Sequence, residues 1–509
     1  MHGSEDEDNH LLEDIGYKPQ LRREFTKWSI ISYAISILGV LGSIPATFNV
    51  PLSTGGTGTV IWAWTIGSCM AFLMAMSVSE LVSAYPTAGG MYFVTKMVVP
   101  EEQMPMWCWI VGWCNLVGQT AGVAGLAYSV GQMVLAGVSL NSASYSPSPG
   151  ETVFASFIVL LLMGTLCSLR TVNLHRMVAW FAPINVLATT TICLTLLTLT
   201  PTLQPLPHIL TTFTNGSNTT PLLSFLLGFL SVSFTMTDYD ATTHISEETH
   251  HASLLGPLAI TTAILVSGLL GLALNITLCL CIQDVDRVLT SHTGMAAAQI
   301  LLDAVGRAPA TLMWSAMVLV QVFTGVAAML AAGRMAFAFA RDRGLPFSQV
   351  WSRIHPRTLT PVNAVWLVVG SSGLLISVAL KSTAASIAIF SLTAPALDLS
   401  YVFVICARRR YRERIVFQPG PYRLGRYGAV INLVAVAWVG FISCVLFLPD
   451  RLPLRWETMN YAPFLAALLL GFSTLWWYIG AWEYYKGPRT EWGHGAGEGE
   501  PEYERLLDE

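Results

Sequence analysis

Between Gly228 and Thr249 an apolar run passes into Thr235, Thr237, Asp238, Tyr239, Asp240, Thr242, Thr243 and His244, and then into Glu247 and Glu248. Side chains of these types can accept an ammonium or other cation, exchange a proton, or satisfy one another in an ion cluster. A carboxylate at the centre of a bilayer costs about 2.5–3.5 kcal/mol on insertion scales, so Asp238 and Asp240 should face a wet cavity, a partner or a solute rather than lipid. The bland alternative is a helix that ends at Asp238 with its acids in solvent. The same run is crowded with β-branched residues, which are mediocre helix formers, so a broken or unwound turn is expected near Thr235 to Asp240. At membrane depth such backbone is tolerated only where it lines a cavity or is buried in protein.

The elements that must position these residues are membrane helices. The chain has 509 residues, 53% hydrophobic and 11% charged, with a mean hydropathy of +0.56, the composition of a polytopic membrane protein. A net charge of -4 gives no reason to expect nucleic acid, and nine cysteines without a CxxC pattern suggest neither a metal site nor a disulfide framework. No cofactor is expected. Residues 1–27 are acidic and polar and lack the apolar centre of a cleavable leader, so they are expected to form a cytosolic tail.

Apolar runs of about 20 residues mark bilayer spans. Twelve are expected, at 28–53, 58–83, 105–137, 152–169, 176–200, 221–243, 256–281, 309–339, 361–380, 383–407, 426–448 and 461–483. With both termini cytosolic, 22 of the 27 basic residues fall on the inside; Arg287, Arg307, Lys381, Arg451 and Arg455 are left outside. Asn215 and Asn218 open two glycosylation triplets in the outside loop between spans five and six, which carries no Lys or Arg.

The first span contains Gly39, Gly42 and Pro45, residues that suit either a discontinuous helix or close helix packing. A break there would match the break expected in the sixth span. Five spans separate them, and an odd offset reverses the direction of crossing, so spans one to five and six to ten would form an inverted repeat. Glu80 lies near the cytosolic end of span two, ahead of a turn demanded by Pro86, Gly89 and Gly90. Arg334, Arg341 and Arg343 close span eight at the membrane edge, where positive-inside anchoring alone would account for them.

Four stretches together, ILGVLGSIPAT in span one, SELVSAYPTAGGMY after span two, DYDATTHISEET at the end of span six and ARDRGLP after span eight, resemble the amino acid, polyamine and organocation transporter superfamily. Within it they look most like the fungal GABA, choline and polyamine permeases, over residues 25 to 485. The resemblance implies an all-α polytopic fold of the leucine-transporter type: twelve transmembrane helices, ten in a 5+5 inverted repeat plus two additional helices. The expected division is a tail at 1–27, a transporter domain at 28–485 and a second cytosolic tail at 486–509. The transporter domain would hold repeats at 28–200 and 221–407, with the last two helices at 426–483. By the same resemblance a small amine-bearing solute would lie between Gly39, Val40, Leu41 and Gly42 of the first span and Thr235, Thr237, Asp238, Tyr239 and Asp240 of the sixth.

One departure bears on the substrate. The family pattern has Gly where this chain has Asp238, and the extra carboxylate favours a cationic solute. Asp398 in span ten leans the same way, and each acid is equally compatible with proton carriage or packing. The resemblance also implies protons as coupling partner, since Thr324 in span eight has no paired Ser/Thr motif for sodium and span five has no lysine. Glu80, His244, Glu247, Glu248 and Asp398 are the coupling or gating residues to consider, with His244, Glu247 and Glu248 alternatively forming a cytosolic ion cluster. Glu7 with Leu11 and Leu12, and Glu502 with Leu506 and Leu507, resemble adaptor-read sorting signals, so a vacuolar or endosomal membrane stands beside the plasma membrane as residence. A nutrient sensor on a transporter scaffold would leave a similar sequence. An intramembrane aspartyl protease would need a Gly-x-Gly-Asp sequence that is absent, so no enzyme is expected.

Overall fold

A computed structural model describes residues 23–142, 144–380, 383–449 and 459–488. The sorting patterns at Glu7 and Glu502 lie outside these residues, as do Lys381, Arg451 and Arg455. Among the described residues the secondary structure is helical, save for an isolated parallel bridge between Phe25 and Thr249. Ten helices are long and apolar enough to cross a bilayer, and the shorter apolar stretches Pro221–Thr235 and Val362–Val378 occupy the places of the sixth and ninth expected spans.

The first span is two helices, α1 (Lys27–Leu38) and α2 (Val40–Thr47), hinged at Gly39. The second is α3 (Asn49–Ala84), followed by a short α4 (Gly90–Val98) and by α5 (Met104–Asn141), the third span. Helix α6 (Pro149–Cys167) starts on a capping box in which Ser148 and Glu151 satisfy each other's backbone N–H groups. The fifth span comprises α7 (Thr171–Val178) and α8 (Phe181–Leu199). The sixth is α9 (Pro221–Leu227) and α10 (Phe229–Thr235), then an irregular stretch and the single turn α11 (Ala241–His244). There follow α12 (Ala252–Cys281), a short α13 (Ala296–Val305), α14 (Arg307–Arg341), α15 (Val362–Val378), α16 (Thr383–Arg410), α17 (Gly428–Leu446) and α18 (Ala462–Trp476).

Elements five spans apart are alike in length and order, the pattern an inverted repeat would leave. A short helix follows both the second span (α4) and the seventh (α13), and the 38-residue α5 is matched by the 35-residue α14. The first span packs on α14, α10 packs on α16 beside α5, and α3 packs along α12 between the two halves. The outer faces are apolar: Leu254, Leu258, Leu265 and Leu269 form one exposed stripe along α12, a surface for acyl chains rather than water.

Two local differences from the sequence-based reading have clear causes. The loop expected at 54–57 contracts to a break at Gly56 (φ 77°, ψ -173°) inside α3. Glycines there let the 212–216 segment dock by Gly58 N–H to Thr212 O at 2.9 Å and Gly216 N–H to Thr54 O at 2.9 Å. The helices α4 and α13, lying within predicted loops, are too short to announce themselves by hydropathy.

Candidate functional site

The first break rests on one glycine. Gly39 takes a left-handed conformation (φ 41°, ψ 50°), and its carbonyl accepts from the N–H groups of Gly42 and Ser43, both at 2.9 Å. The N–H groups of Val40 and Leu41 are thereby left without a partner inside α2, the usual state of a helix N-terminus. Helix α14 crosses so closely that a Cβ on Gly39 would sit 1.6 Å from Thr324 Oγ1, and one on Gly42 would sit 2.2 Å from Gln321 Oε1. Gln321 is fully buried; it accepts from Ser43 Oγ at 3.2 Å and donates to Ser129 Oγ at 2.8 Å.

The second break gathers acids. Helix α10 ends at Thr235, and Asp238 is left-handed (φ 67°), a conformation that Asp and Asn tolerate better than most side chains. Asp238 Oδ1 accepts from Gln119 Nε2 at 2.6 Å. Two residues on, Asp240 is fully buried and accepts from Asn115 Nδ2 at 2.9 Å and from the Tyr401 hydroxyl at 2.6 Å. Thr237 Oγ1 donates to Asp398 Oδ1 at 3.1 Å, which draws the acid of α16 into the same cluster. Tyr239 packs its ring on Tyr401 with centroids 5.7 Å apart. Thr235 is buried at the end of α10. The alternative of solvated acids beyond a helix end is therefore wrong: Asp238 and Asp240 are buried.

Between the two breaks lies a cavity of about 20 Å³ lined by Ile37, Ser43, Gln119, Phe234, Asp238 and Thr393 among others. That is room for about one water. An amino acid would have to widen it.

His244 sits one turn beyond Asp240. Its Nδ1 is 2.8 Å from the Ala88 carbonyl, which can only accept, so Nδ1 carries a hydrogen. Nε2 faces Asp240 Oδ2 at 3.4 Å, both side chains being wholly enclosed. A neutral imidazole with its hydrogen on Nδ1 offers only a lone pair at Nε2, so a favourable contact requires one further proton between ring and carboxyl.

The expected cluster of His244, Glu247 and Glu248 divides. Glu248 forms a fully enclosed ion pair with Arg334 at 2.9 Å, and Glu247 pairs with Arg341 at 3.2 Å while accepting from Ala88 N–H at 3.1 Å. Anchoring at the membrane edge does not describe these two arginines. Glu80 pairs with Arg408 at 2.6 Å and accepts from Leu424 N–H at 3.2 Å. Residues 24 and 25 seal the same end, where both N–H groups donate to Glu248 O at 2.9 Å and Arg23 Nη1 donates to Thr249 O at 2.8 Å. At the opposite end Asn215 and Asn218 are exposed, with Asn215 Nδ2 donating to Thr219 O at 2.6 Å.

Asn115, Gln119, Gln321 and Tyr401 complete the site and were not singled out from sequence. A signal existed: Asn115 and Gln119 are amides one helical turn apart in an otherwise apolar span, a spacing that puts both on one face.

A profile of the amino acid permease family matches residues 25–471. An uncharacterised amino-acid permease of Schizosaccharomyces pombe is 39% identical over 489 residues, covering 96% of this chain and 90% of the relative. Amino-acid permease 2 of Neurospora crassa is 35% identical over 482 residues, covering 94% and 88%. The GABA-specific permease of Saccharomyces cerevisiae is 29% identical over 504 residues, covering 95% and 86%.

Proposed function

The chain belongs to the amino acid permease family, and from that premise we propose that it moves amine-bearing amino acids, GABA among them, by proton-coupled alternating access. It is an integral membrane transporter and not an enzyme, which removes the protease reading. The substrate reading rests on opposite polarities at two facing helix breaks, with Ile37 and Ser43 of the first span and Thr237 and Asp238 of the sixth lining the cavity between them. The free N–H groups of Val40 and Leu41, at the positive end of α2, suit a carboxylate. The C-terminal carbonyls of α10 and the carboxyl of Asp238 suit an ammonium. Choline and polyamines, which lack a carboxylate, would use only the second half. A GABA-specific relative supports the amine-bearing choice.

Coupling is assigned to the proton shared by Asp240 and His244, and closure to the pairs Glu248–Arg334, Glu247–Arg341 and Glu80–Arg408. In this reading the Arg-rich end of the bundle faces the cytosol, the Asn215 and Asn218 triplets face outside, and the protein works in the plasma membrane. The repeats are residues 28–200 and 221–407, with 426–483 added.

The test is uptake of labelled GABA, neutral amino acids, choline and spermidine in permease-deficient yeast, with and without a protonophore. Accumulation of amine-bearing amino acids that the protonophore abolishes is expected, with Asp240→Asn surface-expressed but defective. Accumulation indifferent to the protonophore would overturn the coupling. Binding without accumulation for every solute would make the protein a sensor.

A further inference from the structure

Away from the transport site, at the Arg-rich end, lies a cavity of about 410 Å³ between the end of α16 and the start of α17. Arg408, Arg409 and Arg412 line it, with Glu80 as the acid facing them and Asn432 and Gly428 on the α17 side. Arg408 is fixed: its guanidinium lies 3.8 Å over the Phe417 ring while Nη1 donates to Glu80. Arg409 and Arg412 are exposed, and Arg409 reaches the Ala429 carbonyl only at 3.4 Å. Simple anchoring would spread such charges along the membrane edge. Here three of the seven arginines between positions 408 and 426 border one hollow, and the formal charge of its lining is positive even after Glu80 is counted.

Beside the hollow, Val430, Leu433 and Val434 form an exposed face on α17, and Val416 is 88% exposed. Spacings of three and four residues put the α17 group on one side, where acyl chains would run. Guanidinium groups recognise phosphate oxygens through paired N–H donors, and a volume in the hundreds of Å³ is that of a ligand site. A basic hollow continuous with a lipid-facing strip fits one chemistry: a multiply charged phosphate headgroup attached to acyl chains.

We propose that this cavity binds the phosphorylated headgroup of an anionic phospholipid, of which a phosphoinositide is the type. The cytosolic leaflet as its source rests on the orientation given above; the site itself does not. Binding would compete with Glu80 for Arg408. Helix α16 also carries Asp398 and Tyr401 into the central cluster, so occupancy would register as a change in transport rate.

The test uses the purified full chain titrated with dioctanoyl phosphatidylinositol bisphosphate, followed by native mass spectrometry and tryptophan fluorescence. The paired substitution Arg409→Gln with Arg412→Gln, at exposed positions, should weaken binding about thirtyfold. Arg353→Gln with Arg357→Gln, exposed elsewhere on the same end, should leave binding unchanged. Equal loss in both pairs would reduce the effect to general surface charge and overturn the site. The soluble inositol phosphate headgroup should bind at least about tenfold more weakly than the lipid; equal affinity would make the ligand a free phosphate and overturn the lipid assignment. Neither measurement requires transport, so a failure here is separate from a failure of the carrier reading.

Discussion

Asp238 joins backbone and charge in one residue. Its φ of 67° suits Gly, Asn or Asp, and its carboxyl is both a partner of Gln119 and a wall of the central cavity. Asp238→Asn keeps the conformation and a hydrogen-bonding side chain while removing the charge. Stability should therefore stay within about 1 kcal/mol, while KM for amine-bearing substrates rises about ten- to a hundredfold, as expected for the loss of one charged partner. Thermal unfolding and uptake kinetics read the two quantities separately, and an unchanged KM would take Asp238 out of the pocket. His244 permits a finer separation. In His244→Asn the side-chain amide replaces Nδ1 as donor to the Ala88 carbonyl, but nothing replaces Nε2 opposite Asp240. Exchange of labelled for unlabelled substrate should survive and uphill accumulation should fail, which counterflow assays with and without a pH gradient distinguish.

The elements explain why the breaks stand where they do. Gly39 can hinge the first span because α14 presents Thr324 to it at a distance no side chain could share. Gly39→Ala should cost roughly 3 kcal/mol from left-handed strain and overlap together, and Thr324→Ala in the same chain should restore part of it, measured as melting temperature in detergent. The breaks were legible in sequence because their cause is local, a glycine in one case and a β-branched run ending in acids in the other. The ion pairs were not, since Arg334 lies 86 residues from Glu248 and Arg341 lies 94 from Glu247, and only the packing of α14 on α11 joins them. For the same reason the amides of α5 passed as ordinary polar residues until Asp238 and Asp240 stood opposite. Because Arg334 and Glu248 are both enclosed, Arg334→Met alone should destabilise by about 3–5 kcal/mol through a stranded carboxylate. Adding Glu248→Gln should return most of the stability, while transport, if the pair is the gate, stays impaired. Expression level and uptake measured on the same cells separate the two effects.

On the scale of the whole molecule the two ends differ. One carries the ion pairs Glu248–Arg334, Glu247–Arg341 and Glu80–Arg408 and the 23–25 segment laid along Glu248 and Thr249. Toward the other end a cavity of about 180 Å³, lined by Asn49, Ser53, Leu230, Ser391 and Asn460 among others, lies between the start of the second span, the sixth and tenth spans and the end of the eleventh. A carrier in this state would be sealed on its Arg-rich side and nearer to opening on the other, and alternating access requires that the relation reverse during the cycle. Single cysteines make the reversal visible once the exposed Cys69, Cys406 and Cys444 are replaced. Ser53→Cys, at a partly exposed position lining that cavity, should react with a membrane-impermeant thiol reagent added outside, and Ala241→Cys, buried beneath the ion pairs, should resist the same reagent added to inside-out vesicles. Adding Glu247→Gln to each variant removes the carboxylate that holds Arg341 and Ala88, so labelling at position 241 from the Arg-rich side should rise while labelling at position 53 falls. Gains at both positions together would indicate a loosened protein instead of a shifted equilibrium, and no change at either would show that the ion pairs do not hold this end shut.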